Sequence, residues 1–528
     1  MRTEDIDALI AEDEDETPDL PAYDTDSRRE TDVAAKIGAE YLRGRFIAVG
    51  VNSWYEWDGR RFARLESDAP VYGAVREAVT DIAAKVTAEE NERLARAVER
   101  AAGDEDALKN AQEKHKEAMS WIAGLFNVRK IRQALMVAAR EMVYVRAEDL
   151  DTRHDLFNAG NGVVDLRTGD LLPHDPKYLF TKVSETDYDP YANHPDWTAA
   201  LESIPSAYRE DLRFRFGWAL TGHPPSDDVT PVLYGGGANG KTVLMDGMMA
   251  AMGDFAVPVS PKMLLQSAND HPTELMPLKG ARLAVLEELP EGDYLNVQTL
   301  KRIVGTGTIT ARYISENPVT WKPTHSLFIT TNYAVKVDAV DHGSRRRFGK
   351  FDFPYTYVEE PSPERPHERR GDPGLRTRVR ADKAVHEAAL AWAVSGVVLV
   401  YENGGVLPPL SPEVVAATDE WWYSANQAIR FLNEMFIPDP DFAVLRSEVF
   451  TEFKQWASDK GRKAWTDQTF WSRALAHPWF ADGTAERPEN TIRLRSWCVS
   501  YPDGSPRTPP ERGKVVTGIR FRTPEDDD

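Results

Sequence analysis

The chain contains almost no cysteine, since Cys498 is the only one in 528 residues. One cysteine excludes an internal disulfide and any zinc site built from several cysteines. Long hydrophobic runs are also missing, because no uninterrupted apolar stretch approaches the ~20 residues that span a bilayer. The first residues are acidic, unlike a signal peptide. We therefore expect no membrane span and a reducing, cytoplasmic setting.

Positive charge is in short supply as well. The chain has 64 Lys and Arg residues against 85 Asp and Glu residues, a formal net charge of −21. Thirteen of the acids, with only three arginines, fall in the first 32 residues, and the chain ends in Glu525-Asp526-Asp527-Asp528. Such segments repel themselves, so we expect residues 1–33 to form a disordered acidic tail. Any contact with nucleic acid must then come from local basic elements.

One glycine-rich segment fits a phosphate-binding template. Residues 235–242 read GGGANGKT, which matches G-x-x-x-x-G-K-[ST]. Apolar residues 231–234 before it predict a strand, and residues 243–252 after it predict a helix. A glycine-rich turn at a helix N-terminus can surround a phosphate with backbone N–H groups. The alternative is an ordinary loop between a strand and a helix.

The phosphate-binding interpretation assigns a role to each part of this loop. Lys241 would reach the β- and γ-phosphates, and the Thr242 hydroxyl would bind Mg²⁺. The expected cofactors are therefore ATP and Mg²⁺. The residues predicted to bind the nucleotide are Gly235, Gly236, Gly237, Ala238, Asn239, Gly240, Lys241, Thr242 and Val243.

Paired acids follow an apolar strand 46 residues after Lys241. Residues 283–286 read LAVL, and Glu287 and Glu288 come directly after them. In an ATPase one such carboxylate holds the water shell of Mg²⁺ and the other polarises the attacking water. A strand that ends in two glutamates is also common at a solvated edge. The spacing favours the catalytic interpretation, because it suits the next-but-one strand of the sheet.

Two further polar features come after the acids. Residues 326–331 form an apolar strand that leads into Asn332, whose amide could sense the γ-phosphate or the attacking water. Taken alone, a turn-forming asparagine is the more common explanation. The triplet Arg345-Arg346-Arg347 follows about a dozen residues later. A basic triplet is otherwise typical of a solvated face or a nucleic-acid contact.

The order of loop, acids, asparagine strand and arginines within about 110 residues resembles the superfamily 3 helicases, which are AAA+ helicases of DNA viruses and plasmids. The resemblance implies a ring, expected to be a hexamer, in which Arg346 or Arg347 points into the neighbouring subunit's site. Residues 300–312 resemble the family's motif for a DNA-gripping hairpin. Here the hairpin would run over 309–315, turn at 316–318 and return over 319–323. It implies DNA contacts by Lys301, Arg302, Arg312 and Lys322.

The resemblance extends before the phosphate loop. Residues 54–61 and 161–169, with Pro173-His174, resemble the N-terminal domain of the phage, plasmid and poxvirus primase-helicase family. This sequence departs from the family at residues 305–307, where Gly-Thr-Gly replaces the usual Gly-Gly-Asp. It also has Tyr333-Ala334 where a proline commonly follows the asparagine, and Glu316 in the hairpin turn where a basic residue is expected. The resemblance therefore covers about residues 35–355.

A primase site is not expected in this chain. A primase needs clustered aspartates on a strand and a downstream histidine, and the only candidate is Asp187-Tyr188-Asp189, which Pro190 ends.

The sequence as a whole predicts an α/β protein with an AAA+-type P-loop ATPase core. We expect the boundaries to be a tail at 1–33, a mixed α/β N-terminal domain at 34–222, the ATPase at 223–380, a helical connector at 381–425 and a helical, winged-helix-like domain at 426–528.

The expected function is an ATP-dependent replicative DNA helicase of phage or plasmid type. It would translocate on single-stranded or forked DNA as a homo-oligomeric ring, with a separate primase or other replication proteins as possible partners, in the host cytoplasm if a phage encodes it. The alternatives are a regulatory or assembly ATPase that does not unwind DNA, and a DNA-packaging motor.

Overall fold

The computed structural model divides the chain into two compact units. It describes residues 27–50, 53–101, 103–265, 272–288, 294–305, 307–314, 317–333, 336–337, 345–425, 427–460, 464–486, 491–494, 497–502, 508–523 and 526. Most of the predicted acidic tail, and Glu316 of the predicted hairpin turn, lie outside these residues.

The first unit comprises the chain up to Arg153 together with residues 160–163 and 172–183. Its sheet has the strand order β3-β2-β1-β4, in which β4 runs parallel to β1 and the other neighbours are antiparallel. The elements up to Arg153 are α1 (Glu30–Ile37), β1 (Phe46–Val49), β2 (Ser53–Trp57), β3 (Phe62–Arg64), α2 (Ala69–Ala101), α3 (Glu105–Leu125), α4 (Val128–Glu141) and β4 (Tyr144–Val145).

The β2–β3 hairpin turns at Asp58-Gly59. Gly59 has a φ of +99°, which glycine adopts without steric cost. The Asp58 carboxylate accepts hydrogen bonds from the backbone N–H groups of Arg60 and Arg61 at 2.8 and 2.9 Å. An aspartate that bonds its own turn in this way fixes the hairpin locally.

The second unit contains residues 154–159, 164–171 and everything from Ser184 onward. Three short strands lie where the chain passes from one unit to the other: β5 (Leu156–Asn158), β6 (Val163–Asp165) and β7 (Leu171–Leu172). Then follow α5 (Pro195–Leu201), α6 (Ser206–Trp218), β8 (Thr230–Tyr234), α7 (Lys241–Met252), β9 (Ala256–Val259), β10 (Leu283–Glu287), β11 (Tyr294–Leu295), α8 (Val297–Val304), β12 (Ile309–Ala311), β13 (Val319–Trp321), β14 (Ser326–Thr331), β15 (Lys336–Val337) and β16 (Phe348–Asp352).

The rest of the second unit is mainly helical until it closes with a small sheet. Its elements are β17 (Thr356–Val358), β18 (Glu368–Arg370), α9 (Leu375–Ala381), α10 (Lys383–Glu402), α11 (Pro412–Ala425), α12 (Gln427–Met435), β19 (Phe436–Leu445), α13 (Arg446–Asp459), α14 (Asp467–Ala474), α15 (Pro478–Ala481), β20 (Thr491–Arg493), β21 (Cys498–Val499) and β22 (Arg512–Phe521). The strand order of the small sheet is β20-β22-β19-β21.

A five-stranded parallel sheet organises the second unit. Its order is β16-β8-β14-β10-β9, so β8 lies between β16 and β14, the last two strands of the sheet along the chain, whereas β9 and β10 are consecutive both in the chain and in the sheet. Alternate residues face two different cores. Leu233 of β8 packs with the helices α6, α7 and α10, while its neighbour Val232 packs with α8 and α11. A parallel sheet covered on both faces explains why its strands read as continuous apolar runs.

The helix α10 is long and apolar enough to cross a membrane, judged only by length and composition. The sequence alone did not lead us to expect such a segment. Just over half of this stretch is buried inside the protein, where Ala389, Val394 and Val397 join the core around α6 and the central sheet. This burial is typical of the core helix of a globular domain.

The pairing of α6 with α10 depends on glycine. An added Cβ at Gly396 would lie 2.4 Å from the backbone oxygen of Arg213, and one at Gly217 would lie 2.5 Å from the backbone nitrogen of Val397. Both distances end on backbone atoms, which cannot swing away as a side chain would. The two helix backbones therefore approach as closely as they do only because both positions lack a side chain.

We expect Gly396→Ala to lower the free energy of unfolding by about 1–3 kcal/mol, because the methyl group overpacks a helix contact. The matched control is Gly73→Ala in α2, where an added Cβ meets nothing within 4 Å. That change should stabilise its helix by about 0.5–1 kcal/mol, since alanine is the better helix former. Chemical denaturation followed by tryptophan fluorescence measures both. A Gly396→Ala chain as stable as the parent would show that the helices are not held this close.

Candidate functional site

The glycine-rich loop joins the end of β8 to the start of α7, as the sequence predicts. Two of its residues have a positive φ, Ala238 at +56° and Gly240 at +89°. The buried Asn239 side chain donates to the Gly236 carbonyl oxygen and so ties the loop to itself. The loop thus has the strand–turn–helix form in which backbone N–H groups can face an anion.

Neighbouring segments press against the loop and leave no room for side chains at two glycines. An added Cβ at Gly235 would lie 2.5 Å from the Phe353 backbone oxygen, and one at Gly240 would lie 2.4 Å from Cβ of Ser203. The Ala238 carbonyl oxygen accepts a hydrogen bond of 2.7 Å from the Tyr357 N–H. By contrast, Gly236 and Gly237 have open space around them. The first glycine and the last glycine of the loop are therefore closely packed, whereas space remains around the two glycines between them.

Lys241 lies inside this loop and is only 4% exposed. Its ammonium donates hydrogen bonds to the Gly235 carbonyl oxygen at 2.7 Å and to Oδ1 of Asn332 at 3.1 Å. Burial lowers the pKa of Lys241 to about 8, while the charge of Glu288 acts in the opposite direction. The structure therefore brings together the lysine of the loop and the asparagine that follows β14.

The acid-bearing strand β10 lies next but one to β8, with β14 between them. Glu287 is the last residue of β10, and both Glu287 and Glu288 are exposed. Glu288 has a φ of +54°, and its N–H donates to the Thr330 carbonyl oxygen at 3.0 Å. The carboxyl ends of β8, β10 and β14 thus carry the loop, the acids and the asparagine along one edge of the sheet.

The residues at this edge suit Mg²⁺ only in combination with a phosphate ligand. In the part of the chain that the structure describes, no three His, Cys, Asp or Glu side chains cluster to hold a metal. Thr242 offers an exposed hydroxyl, and Glu287 and Glu288 offer two exposed carboxylates. Mg²⁺ is ordinarily held by one or two carboxylates together with substrate phosphates and water. The donor set fits that mode of binding.

The three arginines of the triplet differ in their contacts. Arg345 forms an ion pair with Asp419 of α11, and Arg347 forms one with Asp228 at 3.0 Å. Arg346 is exposed, and within the described ranges it makes no hydrogen bond or ion pair. Of the two arginines predicted to act on a neighbouring subunit, Arg347 is therefore engaged within its own chain and Arg346 is not.

The predicted DNA-contacting residues lie away from the loop, on α8 and on the hairpin that follows it. Lys301 and Arg302 occupy the last turn of α8, while Arg312 and Lys322 flank the hairpin strands β12 and β13 and are exposed. The hairpin forms where the sequence predicts it, with Thr310 opposite Thr320 and their hydroxyls 2.9 Å apart. Its paired strands are shorter than predicted, covering three residues on each side.

Sequence reasoning missed two apolar residues on this hairpin. Tyr313 is 50% exposed and Ile314 is 84% exposed, directly after β12. The available signal was an aromatic and a β-branched residue next to a predicted turn, where polar residues are usual. An exposed aromatic side chain at this point offers a face on which a base could stack.

A second omission concerns α9, whose arginines contact the helix that follows the loop. Arg376 and Arg380 each donate to the Asp246 carboxylate of α7 at 2.9 Å. Hydrogen bonding to Asp246 chiefly, and the charge of Glu287 to a smaller extent, raise the pKa of Arg380. The alternation Arg376, Arg378, Arg380 in the sequence was the only signal. These contacts hold α9 close to the edge of the sheet that carries Glu287.

Two family models match the chain. Residues 35–205 match a domain described as D5 N terminal like, and residues 233–347 match a family of unknown function, DUF5906. The second match contains the phosphate loop, the acids, the asparagine and the arginine triplet.

The chain is also similar to proteins of large DNA viruses. One is C962R of African swine fever virus (strain Badajoz 1971 Vero-adapted), named as a primase, with 26% identity over 330 residues, covering 58% of this chain and 34% of that protein. Another is L207/L206 of Acanthamoeba polyphaga mimivirus, named as a helicase, with 27% identity over 255 residues, covering 46% and 26%. The chain thus spans about a third or less of the length of these relatives.

Among solved structures, the A-form apo structure of the NrS-1 C-terminal region matches with a TM-score of 0.35 and 12% identity, covering 65% of this chain and 80% of that one. Over parts of its length the chain is thus similar to proteins of large DNA viruses that are named as primases or helicases.

Proposed function

We propose that this protein is an ATP-dependent DNA helicase that acts in replication as a ring of identical subunits. The observation that carries the proposal is the contact of Lys241 with Asn332 across the mouth of the glycine-rich loop. That contact joins two motifs 91 residues apart at the edge where β10 presents its acids. The sheet order, with the asparagine strand between the loop strand and the acid strand, supports an AAA+-type core.

Each residue at this edge has a role in the proposed site. Backbone N–H groups of residues 235–240 surround the phosphates, and Lys241 neutralises charge on the β- and γ-phosphates. Thr242 and one glutamate hold Mg²⁺, which neutralises charge on the phosphate oxygens when bound. The other glutamate accepts the proton of the attacking water.

The proposed sensing step follows from the hydrogen bonds of Lys241. In this structure its ammonium donates to Gly235 and Asn332. A γ-phosphate competes for the same ammonium, because a charge-assisted bond between two ions is stronger than one to a neutral amide. Asn332 is then released to bond the phosphate or the attacking water. Hydrolysis and phosphate release restore the original contact.

Two observations support DNA as the substrate: the residues on and before the β12–β13 hairpin, and the names of the relatives. Lys301, Arg302, Arg312 and Lys322 provide positive charge for the DNA backbone, and Tyr313 provides a stacking face. The relative from mimivirus is named as a helicase, which favours unwinding over a purely regulatory ATPase. We propose no primase chemistry for Asp187 and Asp189, because they lie exposed in an irregular segment and not together on a strand.

The decisive measurement is unwinding of duplexes that carry a single-stranded tail of either polarity, with ATP and Mg²⁺. We expect the parent oligomer to unwind one of the two substrates. Lys241→Ala removes the ammonium and should abolish both ATP hydrolysis and unwinding. ATP hydrolysis without unwinding of either substrate, by a chain shown to be oligomeric, would instead support a regulatory or assembly ATPase.

Arg346 should act on the ATP site of the neighbouring subunit, because it is the member of the triplet that makes no ion pair or hydrogen bond among the described residues. We expect Arg346→Ala to reduce ATP hydrolysis by ~10³-fold, the effect typical of such an arginine. Mixing this variant with Lys241→Ala should restore part of the activity, since some interfaces then join an intact loop to an intact Arg346.

The control for this mixing experiment is Lys241→Ala combined with a chain that carries both substitutions, which can form no complete interface. If ATP hydrolysis recovers in the first mixture but not in the control mixture, Arg346 acts between subunits. If co-assembled rings of the first mixture stay inactive, Arg346 does not act in this way.

ATP affinity should depend on pH through Lys241. Its pKa of about 8 means that the ammonium is charged at pH 7 and mostly neutral at pH 9. Because ATP favours the charged form, binding above pH 8 must take up a proton. Affinity should then fall by up to roughly tenfold per pH unit. Calorimetry in two buffers of different ionisation enthalpy counts that proton. Lys241→Arg, which stays charged, should lack this slope, and equal affinity of the parent at pH 7 and 9 would contradict the assignment.

A further inference from the structure

The C-terminal sheet carries a basic surface that the ATPase site does not use. We define the C-terminal ribbon as β20 (Thr491–Arg493) and the first three residues of β22 (Arg512–Lys514). The two strands are antiparallel, with Thr491 opposite Lys514 and Arg493 opposite Arg512. Residues directly opposite each other project from the same face of a sheet, and so do residues two apart on a strand. Arg493, Arg512 and Lys514 therefore share one face.

The other face of the ribbon points into the protein. Ile492 is opposite Gly513 on that face, and an added Cβ at Gly513 would lie 2.9 Å from Cδ2 of Leu445. Ile492 and Leu445 pack around a small core that contains Leu494. With one face fixed against this core, the face that carries Arg493, Arg512 and Lys514 must point to solvent, and all three residues are exposed.

The exposed face places like charges together without compensation. Arg493 and Arg512 are direct cross-strand neighbours, an arrangement that destabilises a sheet. Across the described residues, none of Arg493, Arg512 and Lys514 makes an ion pair or hydrogen bond through its side chain.

Another arginine of the same strand shows the contrast. Arg520 of β22 pairs with Asp439 at 3.1 Å and with Asp526 at 2.7 Å. Carboxylates of this chain therefore neutralise an arginine of β22 that takes part in contacts within the fold. Among the described residues, no carboxylate pairs with Arg493, Arg512 or Lys514, although acids outnumber bases in the chain by 85 to 64. In residues 487–514 the balance is reversed, with six basic residues and three acidic ones.

We propose that the C-terminal ribbon binds the phosphate backbone of nucleic acid. Two guanidinium groups side by side can each donate paired hydrogen bonds to phosphate oxygens, and a bound phosphate removes their mutual repulsion. Arg512 and Lys514 lie two residues apart, which is ~7 Å along a strand. Phosphates recur every ~3.4 Å of the axis in each DNA strand, so the ribbon can meet more than one of them. The contact positions the nucleic acid and reads no base sequence.

This second site goes beyond the proposed helicase activity, because it lies outside the ATPase sheet and its hairpin. Through this site the chain binds nucleic acid independently of ATP. Loss of the ribbon should therefore weaken binding without changing ATP hydrolysis measured in the absence of DNA. That separation makes failure of this proposal distinguishable from failure of the helicase proposal.

The test compares the full-length triple variant Arg493→Ala, Arg512→Ala, Lys514→Ala with a control of equal charge change. The control is Arg96→Ala, Lys109→Ala, Lys116→Ala, which removes three exposed cations from α2 and α3. Binding of fluorescein-labelled duplex and single-stranded oligonucleotides is measured by anisotropy without ATP, over a range of salt concentrations.

We expect the ribbon variant to bind at least tenfold more weakly than the parent at ~0.1 M salt. The slope of log affinity against log salt should fall by about 2.7 for duplex or about 2 for single strands, at ~0.9 or ~0.7 for each lost phosphate contact. Whichever oligonucleotide shows the loss identifies the form of nucleic acid that the ribbon binds. The control variant should keep both the affinity and the slope of the parent.

Two results would overturn the proposal. One is a ribbon variant whose affinity and salt slope equal those of the control for both oligonucleotides. The other is a loss of binding to polyglutamate while DNA binding is unchanged, which would assign the ribbon to an acidic protein segment. Misfolding is excluded by the melting temperature, which should not fall in the ribbon variant, because the substitutions relieve repulsion between Arg493 and Arg512.

Discussion

The candidate site depends on one constraint, which is that the central parallel sheet is buried on both faces. Alternate residues such as Val232 and Leu233 enter two different cores, so no polar side chain can leave the sheet sideways without losing its hydration. The polar groups of the candidate site therefore appear where the strands end. Since all five strands are parallel, the loop after β8, the acids after β10 and Asn332 after β14 emerge along one edge. The close glycine contact of α6 with α10 helps to keep one of these cores closed.

At that edge of the sheet, the ammonium of Lys241 interacts with the loop, with Asn332 and with the charge of Glu288. Burial disfavours its charge, whereas the Gly235 carbonyl, the Asn332 amide oxygen and the charge of Glu288 favour it. A cation held in this balance responds strongly to a new anion, because nearby water screens it little. A phosphate in the loop would therefore change the bonding of Asn332 as well as that of Lys241. The same desolvation that lowers the lysine pKa makes the site responsive to its ligand.

Much of this arrangement could be predicted from the sequence, and the reasons differ from part to part. The loop at 235–242 was predictable because the backbone geometry of a phosphate-binding loop requires glycine and lysine at fixed positions. The β12–β13 hairpin was predictable because a turn depends on residues that are close together in the sequence. The pairing of Arg345 with Asp419, 74 residues away, was not, since nothing local encodes it. The exposure of Tyr313 and the register that sets Arg493 against Arg512 are likewise tertiary results. Local patterns predicted which elements form, and only the fold revealed which charges meet.

The excess of acids in this chain makes its unpaired cations informative. Exposed ion pairs add little stability, so an arginine is not obliged to find a partner. In a chain with 85 acids, however, partners are plentiful, and Arg345, Arg347 and Arg520 each have one. Among the residues that the structure describes, Arg346, Arg493 and Arg512 have no such partner. Their side chains stay extended and available, and an external phosphate is the anion that guanidinium groups bind with the best geometry. Within the described residues, Arg346 and the pair Arg493 and Arg512 are thus well suited to bind phosphate groups from outside.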